Sequence, residues 1–561
     1  MHIVLDHRDN GSVTATPFDD EGVRGAASVV EASALASFVR DHEADARPRW
    51  VWSNSREWYP RLLAAGARVE RCVDLGLCHR ILRSSALTAA SELARAPESP
   101  WDRIAPAVAE GSVASQAPAL FEVEAPLTSA HLDPVAEFEA QQAAVAGAEQ
   151  PGRIRLLLAA ESAGALIAEE IRFTGLPWRV DVHDRVLTDA LGPRPPQYGQ
   201  RPAKLEALAV RIRELLDAPR INPDSQPDLL AALRRLGLDV ASTRKWELRD
   251  VEHPVIAPLL EYKNLYRLYT ANGWAWLDAW VHDGRFRPDY VVGGVVTGRW
   301  ATSGGGALQL PKNVRRAVVA DPGWKLVVAD AAQLEPRVLT GLASDHAMAE
   351  AGRSRDLYDA IVAAGVVPSR SQAKVAMLGA MYGATTGDSA RLMPQLRRAF
   401  PQAIALVDRA AQEGERGDRV LSRLGRTSPL PSAAWRAVQQ RASDPDATPA
   451  DERRARSQAR DWGRFTRNFV VQASAAEWAL CWMAETRLRL TELAGGALAA
   501  APHLVYFLHD EVMVHTPAQF APDVERIVRE AALAAGALLF GTFPVDFPLS
   551  VATVDTYADA K

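Results

Sequence analysis

Near the C-terminus, the stretch Leu504-Val505-Tyr506-Phe507-Leu508-His509-Asp510-Glu511-Val512-Met513-Val514-His515 sets two adjacent carboxylates between apolar runs. Val512 and Val514 alternate with Met513 and His515, the period of a half-buried strand, so the stretch reads as a hairpin with its acids at the tip. Carboxylates between buried strands are poorly solvated, and they favour a divalent cation or a mutual pKa shift over bare ionisation. The competing reading is an ordinary tight turn with Asp at its tip.

Three further segments carry chemistry. Trp324-Lys325-Leu326-Val327-Val328-Ala329 is an apolar strand ending on Asp330, and Gln333-Leu334-Glu335-Pro336-Arg337 opens a helix whose first turn accepts Pro336. A carboxylate at a strand's end points into a cleft; the plainer alternative is a helix N-cap. Arg370, Lys374, Leu378 and Tyr382 recur every fourth residue, so they share one helix face, and Gly383 follows them. Two cations, then an aliphatic side chain and a ring, suit a ligand with a polyphosphate at one end and a flat base at the other. Arg464, Asn468 and Gln472 repeat the spacing, and amides on one stripe can donate to the acceptors that every base pair shows in the minor groove. Each pattern alone also fits a solvated helix surface.

These residues need a large soluble scaffold. At 561 residues the chain exceeds one core, so two to four subdomains are expected. Hydrophobic residues make up 48% and charged residues 24%, and no apolar run reaches the ~18 residues of a membrane helix. His2, Asp6, His7, Arg8 and Asp9 are incompatible with a secretory leader, which makes a cytoplasmic protein without membrane partners the expectation. The three cysteines, Cys72, Cys78 and Cys481, have no CxxC spacing and read as buried thiols. Net charge is -5, yet residues 416–467 hold twelve arginines against six acids, either a local basic face or solvated surface. Only seven of the 64 basic residues are lysines, so Lys374 inside a motif is the more informative.

In chain order, strands are expected at Ile3-Val4-Leu5 and Trp50-Val51-Trp52, and loops with short helices between Ala86 and Pro151. A boundary is placed near residue 150. Helices follow over Arg153 to Thr174, Leu205 to Leu216, Pro227 to Leu236 and through Leu259 to Leu265, with a turn at Asn222-Pro223-Asp224-Ser225. Val291 to Arg299 reads as strand turning glycine-rich through Gly306, and it is no Walker loop because no GK[ST] follows.

In this order the segments resemble the polymerase module of family A DNA polymerases, over roughly residues 151–561. Asp330 to Arg337 resembles the first palm motif, Arg370 to Gly383 the fingers helix, and His509-Asp510-Glu511 the second palm motif. Thr297-Gly298-Arg299 with Leu308-Gln309-Leu310-Pro311 resembles the stretch gripping the primer's minor groove, and Arg464, Asn468 and Gln472 match the template-side helix. Two departures stand out: Ala331-Ala332 where the family has Tyr-Ser, and Leu378 where it has Phe or Tyr. The resemblance implies an α+β multidomain fold, a right hand of thumb (about 195–275), palm (about 276–335 and 465–561) and fingers (about 336–464), after a ribonuclease H-like exonuclease-type α/β domain over 1–150. No 5′-nuclease domain is expected ahead of it.

By the same resemblance, Asp330 and Asp510 hold two Mg2+ ions, with Mn2+ a possible substitute. Arg370 and Lys374 take the triphosphate of a dNTP, and Lys374 protonates the leaving pyrophosphate. Leu378, Tyr382 and Gln333 bound the nucleotide, and Glu335 lies against the sugar's 2′ position. His509 and Glu511 support the primer end, while Arg299, Gln309, Arg337, Arg464, Asn468, Gln472 and His509 contact primer-template DNA. The expected protein is a monomeric DNA-directed DNA polymerase of repair or replication. In the exonuclease-like domain the metal acids look lost: Arg8 stands in the first motif of Asp6-His7-Arg8, Trp58 in the second, and Phe138 to Gln142 lacks the third motif's aspartate. A 3′-5′ exonuclease-bearing repair enzyme and a non-catalytic DNA-binding protein are the alternatives. Loss of the N-terminal acids opposes the first, and retention of Asp330, Asp510 and Lys374 opposes the second.

Overall fold

A computed structural model describes residues 1–103, 132–197, 199–353, 356–384 and 387–560. It divides into two compact units. The first gathers Met1–Thr174, Asp289–Gly304 and Gly323–Thr553, and the second gathers Gly175–Pro288, Gly305–Pro322 and Val554–Lys561.

The first unit begins with β1 (His2–His7), β2 (Val13–Phe18), β3 (Ser28–Val30), β4 (Arg49–Trp52) and β5 (Arg71–Asp74), ordered β3-β2-β1-β4-β5. β1 to β3 form an antiparallel meander and β4 and β5 add in parallel, the arrangement of a ribonuclease H-like sheet. Both expected strands lie here, and Trp50 and Trp52 are fully buried. The middle of the Ala86 to Pro151 stretch lies outside the described residues; its ends are short helical turns and the helix Pro134–Ala146.

Helix α1 (Pro151–Thr174) follows, and its Leu166 packs into the core of the N-terminal sheet. Its buried Glu170 is the hub of an ion network: Tyr59 Oη donates at 2.6 Å, Arg68 Nε at 3.0 Å and Arg487 Nη2 at 2.7 Å. The N-terminal domain is thereby tied to the rest of its unit by charge as well as by apolar packing.

A four-stranded sheet forms the unit's second layer: β6 (Trp324–Ala331), β7 (His503–Leu508), β8 (Glu511–Pro517) and β9 (Leu549–Val554), in the order β7-β8-β6-β9. Leu326 to Ala329 are all buried, which is why β6 reads as a continuous apolar run. Helices α2 (Leu334–Ala343), α3 (Arg370–Tyr382), α4 (Pro401–Glu415), α5 (Pro449–Leu493) and α6 (Ala521–Phe540) belong to the same unit, with α6 packed on β6 and β8 and α5 on β7. The 45-residue α5 touches all the others. It begins with a capping box of Thr448 and Asp451. Its C-terminal half is buried around Trp478 and Trp482, and full burial of such side chains contributes roughly 1.5–3 kcal/mol each.

The second unit is helical: Val180–Leu191, Ala203–Leu215, Gln226–Arg235 and Ile256–Asn272, with the expected turn closing on Ser225, whose side chain accepts from Asp228 N. Its aromatic core joins Trp178, Trp276 and Phe286. Among the described residues no helix is long and apolar enough to cross a membrane.

One expectation is corrected. Of Val291 to Arg299, only Val291 is strand, at the end of Asp289–Val291, and pairing resumes at Ala301–Gly304. Gly293 (φ 60°) and Gly298 (φ 81°) adopt left-handed backbone that turns the chain.

Candidate active site

The site is built where β6 and the β7-β8 hairpin end side by side. Antiparallel register sets Asp330 opposite Glu511, and the next backbone NH, of Ala331, donates to Asp510 O at 2.8 Å. The two aspartates expected to act together are therefore brought together by sheet register, 180 residues apart in sequence. The hairpin turns on His509, whose φ of 59° is unusual for a residue with a Cβ and costs about 1–3 kcal/mol. Such cost persists only where surrounding structure over-determines it. Here Tyr290 supplies that constraint: its buried hydroxyl donates to Phe507 O at 2.6 Å and accepts from Phe507 N at 3.1 Å. Burial pushes this phenol's pKa up, so it remains a donor. Sequence reasoning missed Tyr290; its partner lies 217 positions away, and only its place just before the Val291 segment marked it.

Glu511 is 1% exposed, whereas Asp330 and Asp510 are only partly buried. His509 is exposed at the tip. Partial burial and the positive charge of Arg299 lower its pKa while Glu335 opposes them.

Helix α2 begins immediately after β6, so Glu335 lies one turn beyond the strand end. Its Oε2 accepts from Tyr382 Oη at 2.9 Å, fastening the C-terminal end of α3 beside the carboxylate tip. Burial together with the Glu335 charge pushes the Tyr382 pKa up to about 12. Its ring is 40% exposed, leaving a face open. Helix α3 starts on Ser369, whose hydroxyl accepts from Gln372 N, and stops on Gly383 at φ 70°. A Cβ on Gly383 would come within 2.9 Å of Arg464 Cγ, so glycine here serves both the cap and the close approach of α5.

Arg370 and Lys374 are exposed on α3, and Tyr382 lies ~18 Å from Arg370 at 1.5 Å per residue. Arg370 Nη2 and Nε donate to Asp356 Oδ2 at 2.7 and 3.1 Å, and its guanidinium lies 5.7 Å over the Tyr358 ring. Burial works against the Asp356 anion, but Arg370 and the main-chain NH groups of Tyr358 and Asp359 hold its pKa below the usual range. Among the described residues no acid pairs with Lys374. Leu378 is half-buried and packs on the core shared by Ala373, Met377 and Phe469.

Several expected contacts are placed differently. Arg337 is 1% exposed, and its guanidinium donates to the carbonyls of Ala332, Gly352 and Asp546. It braces the start of α2 and is not available to DNA. Gln333 Oε1 accepts from Leu357 N at 2.9 Å. Gln472 is buried. Arg464 is exposed and ion-paired with Asp461, and Asn468 is half-buried. Gln309 is exposed in the second unit.

At the open end of the N-terminal sheet, His7 stacks on Trp58 at 4.0 Å and its Nε2 lies 3.3 Å from Glu57. Sequence reasoning found no third-motif aspartate. The structure supplies Asp133, the N-cap of Pro134–Ala146, whose charge adds to burial in raising the Asp6 pKa. No spacing rule marked Asp133, because it lies ahead of the helix in which the motif was sought.

Among the described residues no cluster of three or more His, Cys, Asp or Glu side chains forms a metal cage. Asp330 and Asp510 offer hard oxygen donors, and Mg2+ is held through one or two carboxylates plus substrate phosphates rather than by an all-protein cage. The residues fit that ion.

The family model described as DNA polymerase family A matches residues 197–557. The thermostable DNA polymerase I of Thermus filiformis is 26% identical over 330 residues, covering 53% of this chain and 35% of that protein. The Thermus aquaticus enzyme of that name is 24% identical over 426 residues, covering 70% and 43%. The chain thus spans less than half the length of these relatives. Among solved structures, the POL domain of Pol1 from M. smegmatis, in complex with DNA primer-template and dNTP, superposes with a TM-score of 0.68 and 17% identity, covering 100% of this chain and 95% of that one.

Proposed function

This chain belongs to DNA polymerase family A, and on that footing we propose that it is a DNA-directed DNA polymerase, adding dNTPs to a primer 3′-hydroxyl under the direction of a template. One observation carries the reading: the Glu335 to Tyr382 hydrogen bond fastens the cation-bearing helix α3 beside the paired strand ends that carry Asp330 and Asp510. Phosphate-binding cations and metal-binding acids then serve a single substrate.

In this reading the helices of about 195–275 act as the thumb, about 336–464 as the fingers, and about 276–335 with 465–561 as the palm. Asp330 and Asp510 hold two Mg2+ ions, or Mn2+ in their place, which when bound activate the 3′-hydroxyl and neutralise the triphosphate. Arg370 leaves Asp356 to grip the triphosphate, with Lys374 beside it, and an exposed ion pair worth no more than about 1 kcal/mol is easily exchanged for a polyphosphate. Lys374 donates the proton that the departing pyrophosphate needs. The open face of Tyr382 carries the base, and Glu335 occupies the space of a 2′-hydroxyl. Glu511 buttresses the tip from within the sheet, while His509 and Arg299 flank the primer end. Catalysis is mostly positional and electrostatic. Primer extension with and without dNTPs tests the reading, and a protein that binds primer-template without extending it contradicts it.

The N-terminal domain is a brace without nuclease activity. A phosphodiester brings fewer metal-binding oxygens than a triphosphate, so a nuclease must supply more acids than Asp6 and Asp133, and Arg8 adds the wrong charge. Metal-dependent digestion of single-stranded DNA that survives Asp330→Ala would contradict this.

A further inference from the structure

The polar stripe on α5 does not end at the site. Counting back from Gln472 in fours gives Asn468, Arg464, Arg460 and Arg456, with Arg453 one turn further. Residues four apart are neighbours on a helix surface, but at 3.6 residues per turn the row winds about 40° per step, so that Arg460, Arg456 and Arg453 share a face well round the helix from Gln472, with ~24 Å between Gln472 and Arg456 along the axis. Chemical character changes along that length. Gln472 is buried, and the Asn468 Oδ1 is buried with no hydrogen-bond partner among the described residues. Arg464, Arg460, Arg456 and Arg453 are all exposed. Arg464 pairs with Asp461 and Arg456 with Glu452 on the same helix, exposed contacts that are readily exchanged for another anion. Among the described residues Arg453 and Arg460 have no acidic partner.

The packing of α5 gives the stripe a direction. Its C-terminal half is buried against α6 and β7, on the side of the carboxylate tip. Its arginine-bearing half lies against α4, where a Cβ on Gly463 would come within 2.7 Å of Glu415 Cγ, and against the helix Ala433–Ala442. The stripe therefore starts at the Tyr382 site and runs outward, away from the strand ends where a primer would stop.

We propose that Arg453, Arg456 and Arg460 form a phosphate track for the unpaired template strand ahead of the templating position, an inference that rests on the polymerase reading. Guanidiniums on the exposed outer half of the helix suit the phosphates of a nucleic-acid strand. Past the primer terminus only the template continues, so the strand on the track is single.

The test compares the full chain with the triple variant Arg453→Gln, Arg456→Gln, Arg460→Gln. Binding is measured on two primer-templates that share one duplex, one with a single-nucleotide and one with a long 5′ template overhang, between about 50 and 200 mM salt. The wild type should bind the long overhang more tightly and with steeper salt dependence. The variant should lose that advantage, its log-log slope falling by about two, roughly 0.7 per lost single-strand contact. Its melting temperature and its extension of the short-overhang substrate should be unchanged. An overhang advantage kept by the variant, or equal losses on both substrates, which would mean a grip on duplex, overturns the proposal. A wild type that binds and extends the short-overhang substrate keeps that failure distinct from failure of the polymerase reading.

Discussion

The Tyr382 hydroxyl donates to Glu335 at 2.9 Å, so a phenol from α3 and a carboxylate from α2 meet at one point. The bond fixes where the Glu335 side chain stands, and that side chain is proposed to exclude a ribose. Glu335→Ala should lower dNTP over rNTP selectivity by at least about tenfold, ~1.4 kcal/mol. Tyr382→Phe keeps the ring but frees the carboxylate, and it should cost less, about 0.5–1.5 kcal/mol. The measurement is the ratio of kcat/KM for a dNTP and its ribonucleotide. An unchanged ratio in both variants removes Glu335 from this role.

Leu378 lies one turn before Tyr382 on α3, half-buried against the helical core. Leucine offers no hydroxyl to replace the missing 3′-hydroxyl of a dideoxynucleotide, so the wild type should discriminate against such substrates. Leu378→Tyr should recover much of a charge-linked hydrogen bond worth about 1.5–3 kcal/mol, making dideoxy incorporation roughly tenfold or more easier. If the dideoxy to deoxy ratio does not move while dNTP use stays normal, Leu378 serves only the core.

What the sequence revealed follows from what is local. β6 was legible because it is a continuous buried run, and α3 because Arg370, Lys374, Leu378 and Tyr382 recur every fourth residue up to Gly383. The hairpin was legible because alternation persists through Val512 and Val514. Arg337 was misplaced, since nothing adjacent announces that three main-chain carbonyls, one of them 209 residues away, consume its guanidinium. Gln472 follows Arg464 and Asn468 at the same spacing, yet its burial depends on how α3 packs against α5. Val292 to Arg299 were read as strand because valines outweighed glycines whose positive φ only the fold discloses.

The Glu170 and Arg487 pair predicts a stability effect. Arg487 is 3% exposed and also donates to Val69 O and Glu70 O, so Arg487→Met leaves a buried carboxylate with less compensation and should destabilise by about 3–5 kcal/mol. Burial alone would raise the Glu170 pKa, but Arg487 and Arg68 overcome it and depress it. For a depressed carboxylate, the stability it adds is full above the unfolded pKa of about 4.3 and is withdrawn as pH falls through the folded value. The thermal-stability gap between wild type and Glu170→Gln should therefore be full at neutral pH and close in acid. A gap that widens below pH 4 would contradict the assignment.

The central claim is that Asp330 and Asp510, joined by sheet register, are the acids through which metal-assisted nucleotide transfer occurs. The direct measurement is Mg2+-dependent extension of a primer-template by wild type, Asp330→Ala and Asp510→Ala, with binding of the same DNA as the control for folding. The account predicts template-matched extension by the wild type and loss of at least about a hundredfold in each variant, with DNA binding retained. Near-normal extension by either variant would contradict it.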